Sequence, residues 1–165
     1  MNWDLINKES KKLTNSLKKI HLTISTAESC TGGMVASSII HNPGSSVIFK
    51  KGYITYSNQS KISELYVEED IIREFGSVSK ECSIRMINGL FTKTNTDLGI
   101  SITGIAGPKG DTNNKPVGLV WISYGNILKK ISIRFVFEGN RLMVRLKTTY
   151  NALKLTNDFV KKYHL

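Results

Sequence analysis

The chain has 165 residues, 40% of them hydrophobic and 22% charged, with a formal net charge of +10 and two cysteines. That length suffices for one domain, spanning 1–165, whose core needs no metal or disulfide staple. Two cysteines make no disulfide framework, and no signal peptide or apolar run of membrane-spanning length is visible, so the expectation is a cytoplasmic protein with no membrane partner.

Residues 3–20 carry Ile6, Leu13, Leu17 and Ile20 at helical spacing, with Lys8, Lys11, Lys12, Lys18 and Lys19 on the opposite, solvated face. Neither these lysines nor Lys129-Lys130 and Lys161-Lys162 are interleaved with aromatic residues, and no helix-turn-helix, zinc-finger or RNP pattern occurs. The charge therefore reads as solvated surface rather than as a nucleic-acid site. A strand is expected at 22–26, followed by a turn at Ser29 and a helix to about Ile40; His41-Asn42-Pro43-Gly44 is a turn. Val47 to Tyr56 reads as one strand, or two with a kink at Gly52. Short helices are expected at 59–65 and 68–75, stopped by Gly76.

Ser79 caps a helix reaching about Thr94, with Cys82, Met86, Ile87 and Leu90 inward. Leu98 to Thr103 is a buried strand that empties into a long loop, Gly104 to Pro116. Strands follow at 117–124 and 127–137; in the second, Ile127, Ile131, Ile133, Phe135 and Phe137 alternate with Lys130, Ser132 and Arg134. The last helix, about 140–162, carries Leu142, Leu146, Leu153 and Phe159 inward. Early alternation of strands and helices, with a late hairpin, predicts a three-layer α/β/α domain with a mixed β-sheet.

Thr26-Ala27-Glu28-Ser29-Cys30-Thr31-Gly32-Gly33 places a hydroxyl residue on a strand-to-helix turn, beside N–H groups that favour a bound anion or an oxyanion. The same residues also fit a helix start with no chemistry. A serine nucleophile needs a base. His21, His41 and His164 are all poorly placed for one, whereas Lys61 serves if partial burial or a nearby cation lowers its pKa, with Tyr56 to orient it or relay a proton; a half-buried strand tyrosine and a solvated helix lysine is the simpler reading of these two residues alone. Cys30 competes with Ser29 as nucleophile, and a small buried residue under the turn is its simpler reading. Thr103-Gly104-Ile105-Ala106-Gly107-Pro108 follows a buried strand, where α/β sheets place ligands, yet has neither Walker A nor dinucleotide-binding spacing. Arg141 and Arg145 share one helix face near its start, where cations do not help the helix. The three dispersed histidines offer no metal site.

Together these segments resemble the CinA C-terminal domain family. Besides 26–33 and 103–108, the matching motifs are Pro43-Gly44-Ser45-Ser46, Tyr56-Ser57-Asn58 to Lys61, Gly76-Ser77-Val78-Ser79, Lys115-Pro116-Val117-Gly118 and Gly139-Asn140-Arg141, in order from about residue 10 to 155. The resemblance implies a nicotinamide-nucleotide amidase, which converts nicotinamide mononucleotide to nicotinate mononucleotide and ammonia without metal or organic cofactor. It implies Ser29 as nucleophile, Lys61 as base and Tyr56 as an assisting hydroxyl. Substrate contacts are expected from Cys30, Thr31, Gly32 and Gly33, from Thr103, Gly104, Ala106 and Gly107, and from Arg141 and Arg145 towards the phosphate.

Two departures stand out: Gly110-Asp111-Thr112-Asn113-Asn114 replaces the family's Gly-Gly-Thr type stretch, so that Asp111 could weaken an anion site, and the large N-terminal domain of many relatives is lacking. Relatives often self-associate, which implies a homodimer or higher homo-oligomer. A non-catalytic nucleotide-binding or regulatory module of the same fold is the alternative, and a nucleic-acid-associated protein, suggested by the charge, is the third reading.

Overall fold

The computed structural model describes residues 1–164, with the side chain of His164 outside the described set. In chain order its elements are α1 (Trp3–Ile20), β1 (Ile24–Glu28), α2 (Met34–Ile40), β2 (Phe49–Ile54), α3 (Asn58–Leu65), α4 (Glu69–Phe75), α5 (Lys80–Thr94), β3 (Leu98–Gly104), β4 (Leu119–Gly125), β5 (Lys130–Val136) and α6 (Arg141–His164), with one 3-10 turn at Ser45–Val47. Helix starts follow from short polar side chains that accept otherwise orphaned N–H groups. Asn2 accepts from Leu5, Ser57 from Ser60 in a reciprocal capping box, and Ser79 from Cys82.

The sheet runs in the order β2-β1-β3-β4-β5. β2, β1 and β3 are parallel, and β4 and β5 add antiparallel to them as a hairpin. Parallel neighbours require crossovers, supplied by α2 and by the α3–α5 stretch. Strand alternation sends Ile24, Leu98, Ile100 and Ile102 into the larger core beneath α1, α2 and α6, while Ala27 joins Cys82, Met86 and Leu90 beneath α5. The fold is therefore a three-layer α/β/α domain with a mixed five-stranded sheet, as the sequence predicts. Among the described residues, no helix is long and apolar enough to cross a membrane.

Three local expectations are corrected. Val47 lies in the 3-10 turn, and one strand, Phe49–Ile54, replaces the longer or divided one. Ile127 does not continue the β5 alternation. It sits in the β4–β5 turn, where Asn126 Oδ1 accepts the Leu128 and Lys129 N–H groups, and it is 66% exposed. Leu142 is 55% exposed, and the first turn of α6 reaches the core through Val144 instead, with Leu146 buried one turn later.

The carboxyl ends of β1, β2 and β3 all open at one end of the sheet, where open α/β sheets gather ligands. Ser29 follows β1, Thr55 to Ser57 follow β2, and Gly104 closes β3. α3 begins directly after β2, which delivers its first turn to the same place.

Candidate active site

Ser29 continues the alternation of β1, so it shares the side of Ala27 and faces the α3–α5 layer, whereas Glu28 points to the α2 side. The Ser29 N–H donates to the Ile102 carbonyl at 3.0 Å, and the Gly32 N–H returns to the Ser29 carbonyl at 3.1 Å, which makes a tight turn. Gly33 follows at φ +90, a conformation that side chains rarely adopt. Its neighbour N–H groups are not empty. The fully buried Glu28 carboxylate accepts from Gly33 (3.0 Å), Val35 (3.1 Å) and Ala36 (2.8 Å), so the start of α2 already has its anion. The expectation that this helix start is open to a ligand is corrected by that carboxylate.

Lys61 stands on the first turn of α3, only 2% exposed, and its Nζ lies 3.1 Å from Ser29 Oγ. The same nitrogen lies 2.8 Å from the Thr55 carbonyl and 3.4 Å from the Ser57 carbonyl. Burial holds the Lys61 pKa below the ordinary lysine value. The sulfurs of Cys82 and Cys30 oppose this only as thiolates. Burial keeps both protonated, pushing Cys30 to about 12 and Cys82 to about 11. A neutral amine has two N–H groups and one lone pair. Two carbonyls and one hydroxyl match that inventory.

Ser29 and Lys61 open onto a cavity of about 210 Å³, also lined by Cys30, Tyr56, Ser77, Val78, Thr103, Gly104, Ala106 and Arg141. At its mouth Arg141 Nη2 donates to the Tyr56 hydroxyl at 2.7 Å, and Nη1 donates to the Gly107 carbonyl at 2.8 Å. Tyr56 is 61% exposed and makes no hydrogen bond to Lys61 or Ser29. The far wall is tied down by Thr103 Oγ1, which donates to the Ser77 carbonyl at 2.6 Å, and by Lys115 Nζ, which donates to the Phe75 carbonyl at 2.5 Å.

The cavity thus gathers Ser29, Lys61, Tyr56, Cys30, Thr103, Gly104, Ala106 and Arg141 from the expected set. Thr31, Gly32, Gly33 and Gly107 stand behind that lining. Arg145 also lies outside it: its Nη2 donates to the Thr31 carbonyl at 2.7 Å, bracing the turn from the α6 side. Asp111 is exposed on the distal part of the loop, away from the cavity lining. His21 ends α1 and His41 ends α2, and neither lines the cavity. Ser77 and Val78 are added to the expected set. Their motif was visible in the sequence, yet nothing in Gly76-Ser77-Val78-Ser79 alone separates a pocket wall from a helix cap.

The CinA C-terminal domain family model matches residues 6–160. A CinA-like protein of Dictyoglomus turgidum is 45% identical over 144 residues, covering 87% of this chain and 35% of the relative. One of Kosmotoga olearia is 44% identical over 150 residues, covering 91% and 35% respectively. The chain thus spans about a third of the length of the curated relatives it matches. Among solved structures, the competence/damage inducible protein CihA of Agrobacterium tumefaciens superposes with a TM-score of 0.92 at 30% identity, covering 94% of this chain and 95% of that one.

Proposed function

The chain belongs to the CinA C-terminal domain family, and from that membership and the pairing of Ser29 with Lys61 we propose that it is a nicotinamide-nucleotide amidase. The observation that carries this reading is the 3.1 Å approach of a buried amine, with a lowered pKa, to a turn-borne serine hydroxyl. The amine fills the role of a base that an isolated serine lacks.

In this reading Ser29 Oγ attacks the carboxamide carbon while neutral Lys61 takes the hydroxyl proton. The negative charge that develops on the carboxamide oxygen is met by backbone N–H groups of the 29–33 turn. Glu28 takes the N–H groups of Gly33, Val35 and Ala36, which leaves those of Cys30 and Thr31 on the turn, and of these two residues Cys30 lines the cavity. The Lys61 ammonium then returns its proton to the leaving nitrogen, ammonia departs, and an ester of Ser29 remains. Water attacks that ester with Lys61 again as base, releasing the carboxylate and restoring the serine.

Size supports a partial enclosure. The 210 Å³ cavity is smaller than the about 300–1,000 Å³ usual for whole drug-sized ligands, so it takes the carboxamide-bearing ring and leaves ribose and phosphate at the mouth. Arg141 stands there without a carboxylate partner within 4 Å among the described residues. We therefore place the phosphate contact at Arg141 and Tyr56, and give Arg145 to the turn. Self-association belongs to the same reading: Ile40, Val47 and Ile54 are more than half exposed along the open edge at α2 and β2.

The test is ammonia release from nicotinamide mononucleotide, its riboside and the free base, with Ser29→Ala and Lys61→Ala as controls. Release that persists in Ser29→Ala, or is absent from the wild type with all three compounds, sinks the proposal.

A further inference from the structure

Every polar backbone group in a turn must be accounted for when it is buried, and around Ser29 that accounting leads to Glu28. Its side chain is fully buried, and no lysine or arginine pairs with it within 4 Å among the described residues. What compensates the buried carboxylate is the set of three N–H groups from Gly33, Val35 and Ala36, at the positive end of a helix. The N-cap residue Gly33 has no side chain to do this, so the cap arrives from the strand end, on the other side of the turn. Glu28 and residues 33–36 therefore bracket Ser29, Cys30, Thr31 and Gly32.

The same residue is tied to the other half of the site. The Glu28 carbonyl accepts the Thr55 N–H at 2.8 Å, and the Thr55 carbonyl accepts from Lys61 Nζ at 2.8 Å. Within the turn, the Ser29 N–H goes to Ile102, the Gly32 N–H to Ser29, and the Thr31 carbonyl receives Arg145. The N–H groups of Cys30 and Thr31 are the remaining donors on that stretch.

We propose that Glu28 is a positioning residue for the reaction at Ser29: its buried carboxylate occupies the start of α2 and fixes the 29–33 turn, leaving the N–H of Cys30, which lines the cavity, to face the oxyanion. This rests on the amidase reading, through the oxyanion it invokes. Glu28 touches no reacting atom. Its carboxylate acts through the turn, while the bond to Thr55 is made by its backbone and is untouched by a side-chain substitution.

Glu28→Gln is the variant that tests it, since it keeps the volume and one acceptor oxygen but turns an NH2 towards N–H donors. The protein should keep its fold by circular dichroism. Its kcat should fall about 10- to 100-fold, less than removal of a whole oxyanion donor costs, while KM stays within twofold. The basic limb of the pH–rate profile should not move, because the Lys61 surroundings persist. The Gly33, Val35 and Ala36 amides should exchange faster with solvent. A kcat within twofold of wild type, or a loss carried wholly by KM, overturns the proposal. Glu28→Asp retains the charge on a shorter arm; if the glutamine variant does not fold, the aspartate variant must show the same kcat-only loss, and wild-type kcat there overturns the proposal equally. Phosphonylation of Ser29 by a fluorophosphonate separates the two readings. If the wild type is phosphonylated but hydrolyses no amide, the amidase reading fails, and slower phosphonylation of Glu28→Gln still upholds the positioning role while an equal rate ends it.

Discussion

Lys61 Nζ is closer to the Thr55 carbonyl, at 2.8 Å, than to Ser29 Oγ, at 3.1 Å. In the neutral amine, donation to the carbonyls of Thr55 and Ser57 would use both N–H groups and leave the lone pair for the Ser29 hydroxyl. Protonation replaces that lone pair with a third N–H in a site that burial makes unfavourable for charge.

The rate should therefore follow the neutral fraction of Lys61. Because its folded-state pKa is below the ordinary 10.5, kcat/KM is expected to rise with pH and to flatten above that lowered pKa. Lys61→Ala should lose about 100- to 10,000-fold in rate, the usual contribution of a positioned base. A pH–rate series on both proteins checks the assignment; a profile with no basic limb below 10.5 sinks it.

Stability carries the same signature with a definite sign. Between the lowered folded pKa and 10.5, the unfolded chain binds the proton more tightly, so wild-type stability rises with pH across that window and levels off above it. Below the folded pKa the full penalty of a buried ammonium is present. Lys61→Met removes the group, so the stability of the wild type relative to this variant should decline as the pH is lowered through the window. Urea midpoints measured from pH 6 to 11 read this without any substrate.

Cys30 is expected to be inert, although it adjoins Ser29 and lines the cavity. Burial raises its thiol to about 12, so about one molecule in 10,000 carries a thiolate at pH 8. Iodoacetamide at that pH should leave amidase activity intact, and Cys30→Ala should stay within a few-fold of wild type in kcat. If alkylation of Cys30 tracks loss of activity while Ser29→Ala remains active, the nucleophile is the sulfur.

Much of this site was legible because its residues sit at element ends. The strand before Ser29, the short helix expected at 59–65 that carries Lys61 and the strand before Gly104 all carry local signals, and a parallel sheet brings such ends together. The helix-start donors were legible too, but not their occupant. Glu28 reaches over five to eight positions from the end of a strand, outside the spacing of ordinary caps. The different duties of Arg141 and Arg145 depend on which partners each guanidinium meets, Gly107 and Tyr56 for the first and the Thr31 carbonyl for the second, and four-residue spacing on one helix face does not encode that. Leu142 and Ile127 were misplaced for a related reason: periodicity reports a face, but not which of its residues meets a neighbour, and Val144 rather than Leu142 enters the core while Ile127 lies in a turn.

Arg141 should act on binding more than on turnover. Its guanidinium bridges the Tyr56 hydroxyl and the Gly107 carbonyl at the mouth, where the substrate phosphate is proposed to lie. Arg141→Ala should raise KM for the mononucleotide about 10-fold or more, the order expected for a lost charge-assisted contact. The same change should matter little for the riboside, which lacks the phosphate. Equal KM increases for both compounds would place the phosphate elsewhere.

The position of Lys61 also depends on a residue far from the cavity. An added Cβ at Gly89 of α5 would fall 1.8 Å from the Leu65 carbonyl oxygen, at the end of the helix that carries Lys61. That contact is with backbone, which cannot swing aside, so Gly89→Ala must part α3 from α5. Overpacking of this kind costs about 1–3 kcal/mol, and the strain falls on α3, whose inward face consists of Lys61 and Leu65. The variant should melt at a lower temperature. It should also lose kcat under conditions where it is fully folded, because displacing α3 lengthens the 3.1 Å approach of Lys61 to Ser29. Ser83→Ala, on the same helix but hydrogen-bonded to the sheet serines Ser101 and Ser123, should lower stability without that loss of kcat. Comparing kcat for the two variants well below their melting temperatures distinguishes displacement of the lysine from general weakening of α5.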